Sequence, residues 1–174
     1  MVQEKSFVMI KPDGVKRGLT DEIIKRLMSA GLEITARKDM SASEEIVAKH
    51  YPLNDKDYIL GLGHRDLTGL SEGELTAIYD KNLKIVKAIH QYIQSGPVVA
   101  MIVAGPIGTV QTVRDIVGKT NPVDAAKGTI RGDFGEDSYA KSEAESRSVR
   151  NIVHASSSPK EAENEIKIWF PELS

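Results

Sequence analysis

The sequence predicts an α/β (α+β) fold built on a four-stranded antiparallel sheet with surrounding helices. Three observations carry this expectation. Four short apolar segments, near 6–11, 32–40, 97–104 and 151–155, read as strands. Segments with apolar residues at helical spacing separate them. The resulting order is strand-helix-strand, extra helices, strand-helix-strand, then a last helix, which is a split βαβ arrangement.

Ser6–Lys11 is mostly apolar, as a strand buried on both faces would be, and Pro12-Asp13-Gly14 breaks it. Thr20 is a plausible N-cap for a helix whose first turn carries Asp21 and Glu22, where the helix dipole favours negative charge. Ile23, Leu27 and Ala30 share a face, with Ile24 and Met28 beside them, and Gly31 supplies the stop. In Leu32–Met40 the residues Leu32, Ile34 and Ala36 alternate. Ser41 and Glu44 then offer a capping box for a helix through about Tyr51. Residues 52–80 are Gly-rich, polar and only partly helical in pattern. Lys81–Gln94 is a clearer helix, with Leu83, Val86, Ile89 and Ile93 along one face. Pro97–Ala104 reads as the third strand and Thr109–Val117 as a helix ended by Gly118, while 119–150 has no clear periodicity. Asn151–Ala155 supplies a short fourth strand. Ser158-Pro159-Lys160-Glu161 starts a helix with a cap, a proline in the first turn and a glutamate to close the box; Pro171 ends it after Phe170. The sheet this order implies is ferredoxin-like.

A length of 174 residues fits a single domain, 1–174. With 40% hydrophobic and 28% charged residues, the composition is that of a globular protein. The formal net charge of −2 gives no footprint for nucleic acid or an anionic membrane, so any anion site must come from local placement of Lys and Arg. There is no cysteine, which excludes thiol catalysis and thiolate metal sites and suits a reducing compartment. The start of the chain does not read as a signal peptide, and Pro97–Ala104, the longest apolar run, is too short to cross a bilayer. These features together predict a cytoplasmic protein.

The sequence has neither G-x-x-x-x-G-K-[ST] nor G-x-G-x-x-G. Its four histidines, His50, His64, His90 and His154, lack the spacing of a zinc hydrolase. His154 is distinguished by context. It follows Ile152-Val153 and precedes a capped helix, whose start attracts anions. Glu165, one to two turns into that helix, is placed to orient an imidazole and fix its tautomer. An imidazole held so is a competent nucleophile toward phosphorus. From these features alone, a satisfied core or surface histidine stands as the alternative. Lys11, Arg17, Arg114, Arg131 and Arg150 are candidate phosphate ligands by chemistry. Lys11 and Arg131 stand beside glycines that permit close backbone approach to a ligand.

Several motifs carry a resemblance. Phe7–Val15 (FVMIKPDGV), Ser95–Met101 (SGPVVAM), Thr120-Asn121-Pro122, Gly128–Phe134 (GTIRGDF), Asn151–Ser156 (NIVHAS), Glu165-Ile166 and Trp169-Phe170 resemble, in order, those of nucleoside diphosphate kinases. The resemblance implies a phosphotransferase with a phosphorylated histidine at His154, a glutamate at Glu165 that hydrogen-bonds its imidazole, and a serine beside it at Ser156. It implies that Lys11, Tyr51, Arg114, Thr120, Arg131 and Asn151 surround the nucleotide phosphates and sugar. Its implied partners are nucleoside triphosphates and diphosphates, with Mg²⁺ held mainly by the phosphates and no metal ligand from the protein. It also implies a homo-oligomer, a hexamer or tetramer.

The sequence departs from the family pattern in three places. Ser157 replaces the usual aspartate. Two segments, about 52–90 and 135–148, read as insertions. The first replaces the hairpin that ordinarily supplies an aromatic base platform, and Tyr58 is a candidate stacking residue. These departures motivate a rival in which the chain is a nucleotide-binding or scaffolding module without catalysis. A histidine-dependent phosphatase or phosphocarrier is a second rival.

Overall fold

A computed structural model describes residues 3–63 and 66–173; His64 lies outside the described residues. Along the chain run β1 (Glu4–Ile10), α1 (Pro12–Lys16), α2 (Thr20–Ser29), β2 (Glu33–Ser41), α3 (Glu44–His50), α4 (Lys56–Gly61) and α5 (Glu72–Ile93). Then follow β3 (Pro97–Gly105), α6 (Thr109–Val117), α7 (Ile130–Phe134), α8 (Tyr139–Ala144), β4 (Val153–Ala155) and α9 (Pro159–Trp169). The sheet is four-stranded in the order β2-β3-β1-β4. Every neighbouring pair is antiparallel, which is the α+β architecture expected.

Alternation along the two central strands builds two cores. Phe7, Met9, Val98, Ala100 and Ile102 face one side with Val47, Val86, Ile93 and Trp169 from α3, α5 and α9. Val8, Ile10, Val99, Met101 and Val103 face the other with Ile23, Leu27, Val113, Val117 and Ile130 from α2, α6 and α7. Helices cover both faces, so β1 and β3 read as nearly continuous apolar runs. Edge strand β2 instead alternates exposed and half-buried residues.

Several local expectations need correction. The N-cap of α2 is Leu19, without a side-chain cap, and Thr20 is already helical. Ser43, not Ser41, caps α3 by accepting from the Ile46 N–H. Helix α5 begins at Glu72, nine residues before the periodic stretch, after a capping box made by Ser71 and Glu74. All of its fully buried residues lie at Asn82 or beyond, and its first turns carry only the half-buried Leu75, Ile78 and Tyr79 among polar residues. Asn82 donates to the Ile59 carbonyl at 2.8 Å, tying α5 to α4. Residues 119–150 contain α7, α8 and a 3-10 turn at Pro122–Asp124, all too short for periodicity to be visible. Glu161 bonds the backbone N–H of Ser157 rather than that of the capping Ser158.

Gly118 ends α6 with a φ of +85°, and a Cβ there would lie 2.4 Å from Thr129 Oγ1. Both strain and crowding therefore select glycine. Gly118→Ala is expected to lower stability by roughly 1–3 kcal/mol, seen as a lower urea midpoint at unchanged slope. An unchanged midpoint would mean the loop relaxes freely.

Candidate active site

His154 is the middle residue of β4 and lies opposite Met9 of β1. Its Nε2 is 2.6 Å from Glu165 Oε1. The other Glu165 oxygen accepts from Ser156 Oγ at 2.6 Å, and Ser156 Oγ also accepts from the Phe7 backbone N–H at 3.1 Å. His50, at the end of α3, places Nε2 3.1 Å from Glu165 Oε1. Its Nδ1 accepts from the Trp169 indole N–H at 2.8 Å. Burial opposes ionisation of Glu165, but the His154 interaction and hydrogen bonds from His154 and His50 outweigh it, holding the carboxyl well below the usual carboxylate range. Burial pushes the His50 imidazole pKa down despite Glu165. Among the described residues no hydrogen bond reaches His154 Nδ1.

The backbone leading to His154 is bent. Ile152 has a φ of +70°, and the Val153 N–H bonds the Asn151 carbonyl at 2.7 Å. Together these make a γ-turn of the rare, strained hand. Four contacts surround it. Asp13 accepts from the Ile152 N–H at 3.2 Å, and the Lys11 N–H donates to the Ile152 carbonyl at 2.7 Å. Arg131 donates to the carbonyls of Asn151 at 3.1 Å and Val153 at 2.5 Å. Tyr92 donates its hydroxyl to the other Asp13 oxygen.

The candidate phosphate ligands fall into two groups. Lys11 Nζ donates to Asn151 Oδ1 at 2.8 Å, and Asn151 Nδ2 donates to the Thr120 carbonyl at 2.9 Å. Arg131 adds a bond to the Gly118 carbonyl at 2.8 Å. Three of its five N–H donors thus serve the backbone, leaving two. Burial, with the Arg131 charge adding to it and Asp13 opposing, pushes the Lys11 pKa down to about 7. Arg131 is pushed down to about 10, first by burial, with the Arg114 charge contributing. Arg114 itself is exposed on α6. Tyr51 is buried, its ring 4.2 Å from that of His50 and 6.2 Å from that of His154. Lys11, Tyr51, Arg131, Asn151 and Thr120 are therefore joined to the His154 cluster through a short chain of contacts. Arg17 is not. It bonds the Phe134 carbonyl at 2.7 Å and Glu136 at 2.9 Å. Arg150 is exposed and contributes its backbone N–H to Asp137 at 2.8 Å. Tyr58 packs against the Phe7–Trp169 core.

Sequence reasoning missed His50 and Asp13 as site residues. His50 adjoins Tyr51, but nothing in the chain between 50 and 165 signals that the two meet. Asp13 was visible only as part of the Pro12-Asp13-Gly14 break that ends the first strand, and it lies inside α1.

Donor atoms of His50, His154 and Glu165 lie within 4.8 Å of one another, the one such group among the described residues. Mg²⁺ wants an all-oxygen octahedron. Two imidazoles and a carboxylate whose oxygens are both engaged do not fit it, so this cluster is no Mg²⁺ site.

The model of the nucleoside diphosphate kinase family matches residues 4–61 and 64–174. A nucleoside diphosphate kinase of Pyrobaculum aerophilum is 39% identical over 99% of this chain and 97% of its own length. That of Archaeoglobus fulgidus is 42% identical over 96% and 86%. The solved P. aerophilum NDP kinase superposes with a TM-score of 0.83, covering 97% of this chain and 96% of the other at 38% identity. A Borrelia burgdorferi enzyme, solved as a transition-state mimic with vanadate and ADP, superposes at 0.78 with 30% identity, over 98% and 88%. The likeness spans the strand that carries His154, the helix that carries Glu165 and the turn that holds Lys11, and the chain belongs to the nucleoside diphosphate kinase family.

Proposed function

We propose that the chain moves the γ-phosphoryl group of a nucleoside triphosphate to a nucleoside diphosphate in two half-reactions, through phosphorylated His154. The observation that carries this reading is the pairing of His154 Nε2 with Glu165 at 2.6 Å. An anionic carboxylate only accepts, so the imidazole proton resides on Nε2 and the lone pair on Nδ1. In the first half-reaction Nδ1 attacks the γ-phosphorus, the bond to the β,γ-bridging oxygen breaks, and the nucleoside diphosphate leaves with that electron pair. Glu165 stabilises the positive charge that develops on the ring. In the second, a terminal oxygen of the acceptor diphosphate attacks and Nδ1 recovers its lone pair.

Phosphoryl transfer depends on positioning and charge neutralisation. Lys11, Arg114 and the two uncommitted donors of Arg131 would meet the phosphates, and Tyr51, Thr120 and Asn151 would complete the nucleotide site. Mg²⁺ would arrive with the nucleotide, held mainly by its phosphates, and would neutralise part of their charge. We read the chain as one domain, 1–174, with insertions near 52–90 and 135–148. The insertions touch through Lys81 and Glu143 at 3.1 Å. No described helix is long and apolar enough to cross a membrane, and a cytoplasmic setting belongs to this proposal. So does a homo-oligomer, a hexamer or tetramer, in which exposed Met28, Ile107 and Val123 are apolar surface available for contact.

Incubation with γ-labelled ATP is expected to give a phosphoenzyme stable in alkali and labile in acid. His154→Ala abolishes it, and the wild-type label passes to an added diphosphate. Labelling undiminished in that variant places the nucleophile elsewhere. Label that passes only to water identifies a phosphatase, and absence of label from the wild type a binding module.

The Lys11 pKa near 7 gives a second prediction. At pH 8 the free ammonium is mostly deprotonated. A polyanion beside it raises its pKa, so binding takes up a proton. Calorimetric titration with a nucleoside diphosphate in buffers of different ionisation enthalpy is expected to report uptake of a substantial fraction of a proton at pH 8. Lys11→Arg, charged in both states, removes that component. Heats independent of buffer in the wild type would mean Lys11 does not meet the phosphates.

A further inference from the structure

We infer that Trp169 and His50 are positioning residues. Trp169 fixes the tautomer of His50, and His50 holds the Glu165 carboxylate in the pose that leaves His154 Nδ1 as the nucleophile. This rests on the phosphohistidine reading above and adds two residues to it.

The argument is one of donors and acceptors. An indole N–H only donates. At 2.8 Å from Trp169 Nε1, His50 Nδ1 must be the acceptor and carry no proton. The single proton of the neutral ring then sits on Nε2, aimed at Glu165 Oε1, 3.1 Å away. The opposite tautomer would set two N–H groups against each other at one ring nitrogen and two lone pairs at the other. Glu165 Oε1 therefore receives N–H groups from both His50 and His154, and Oε2 receives the Ser156 hydroxyl at 2.6 Å. Three donors, from α3, from β4 and from the residue that follows β4, hold the carboxylate against rotation.

Packing keeps the relay rigid. The Trp169 ring stacks on Phe7 with centroids 5.4 Å apart, and His50 meets Trp169 edge-on at 5.9 Å. The His50 side chain is 2% exposed and that of Glu165 6%, so water does not compete for these bonds. His50 also lies edge-on to His154, with centroids 4.7 Å apart, and does not occupy its Nδ1 side with a hydrogen bond. Its contribution passes through Glu165. Supporting groups of this kind typically change activity by roughly 10- to 100-fold when removed.

The test combines a spectroscopic reading with three variants. In ¹⁵N-histidine-labelled wild-type protein at pH 7.5, the His50 resonances, assigned by their loss in His50→Gln, are expected to report a neutral ring protonated at Nε2. In Trp169→Phe they move toward a tautomer mixture. In single-turnover labelling with γ-labelled ATP, His50→Phe is expected to slow phosphoenzyme formation by about 10- to 100-fold. Half-saturation by ATP should change by less than about threefold, the mark of lost transition-state positioning rather than lost binding. His50→Gln, whose amide can accept from the indole and donate to Glu165, restores most of the rate. A wild-type His50 protonated at Nδ1 or at both nitrogens overturns the inference. So does a folded His50→Phe of undiminished rate, or a His50→Gln as slow as His50→Phe. Should His50→Phe not fold, the wild-type resonances and Trp169→Phe decide. Wild-type protein that takes no label defeats the phosphohistidine reading instead, and the tautomer remains readable on its own.

Discussion

The site depends on one backbone constraint, the positive φ of Ile152. A β-branched residue in that region costs on the order of 1–3 kcal/mol. The turn persists because its surroundings over-determine it. Asp13 takes the N–H, Lys11 supplies a donor to the carbonyl, and Arg131 grips the carbonyls on either side. The bend lets one short segment serve two purposes. Before it, the Asn151 side chain joins Lys11 to the Thr120 loop. After it, His154 enters the sheet beside β1 and meets Glu165. Lys11, through its backbone N–H, and Arg131, through its guanidinium, thus clamp the turn before His154, so Arg131 cannot be replaced without loosening that turn, whereas the Lys11 side chain can.

The surroundings of Glu165 follow a second logic. A carboxylate buried near apolar rings would ordinarily take up a proton. Here the His154 and His50 imidazoles, with the Ser156 hydroxyl on the other oxygen, keep it anionic. Tyr51 stands between the two electrostatic regimes. Burial raises its phenol pKa first of all, Glu165 raises it further, and Arg131 opposes. The site therefore holds a buried anion beside the His154 ring and, farther along the same chain of contacts, two basic groups whose pKa burial has lowered.

Much of this was legible in the sequence. The apolar runs of β1 and β3, the capped start of α9 and the four-strand order follow from patterning alone. Helix α5 was half visible, because its first turns bury no residue fully and its capping box lies in a polar stretch. Thr20 and Ser41 misled as caps because a hydroxyl near a helix start is a common signal, and tertiary contacts decide which one is used. His154 and Glu165 were readable as a pair because they sit eleven residues apart, within one strand-helix unit. His50 and Asp13 were not. Their partners lie across the fold, at Trp169, Glu165 and Ile152, and no local pattern encodes such meetings. The positive φ of Ile152 was equally hidden, because isoleucine is among the last residues expected there.

The strand order has a consequence for how the molecule comes into being. β1 is made first, yet it pairs only with β3 and β4 and never with β2. Its last five residues are buried in the finished protein, but β3 does not begin until residue 97. At ordinary synthesis rates of about 5–20 residues per second, that strand waits for several seconds or more with both edges unpaired. His154 and Glu165 emerge later still. During synthesis β1 is therefore the strand that stays unpaired longest. Helix α2, whose Ile23 and Leu27 pack with Val8 and Ile10 in the finished protein, is the earliest cover available to one of its faces.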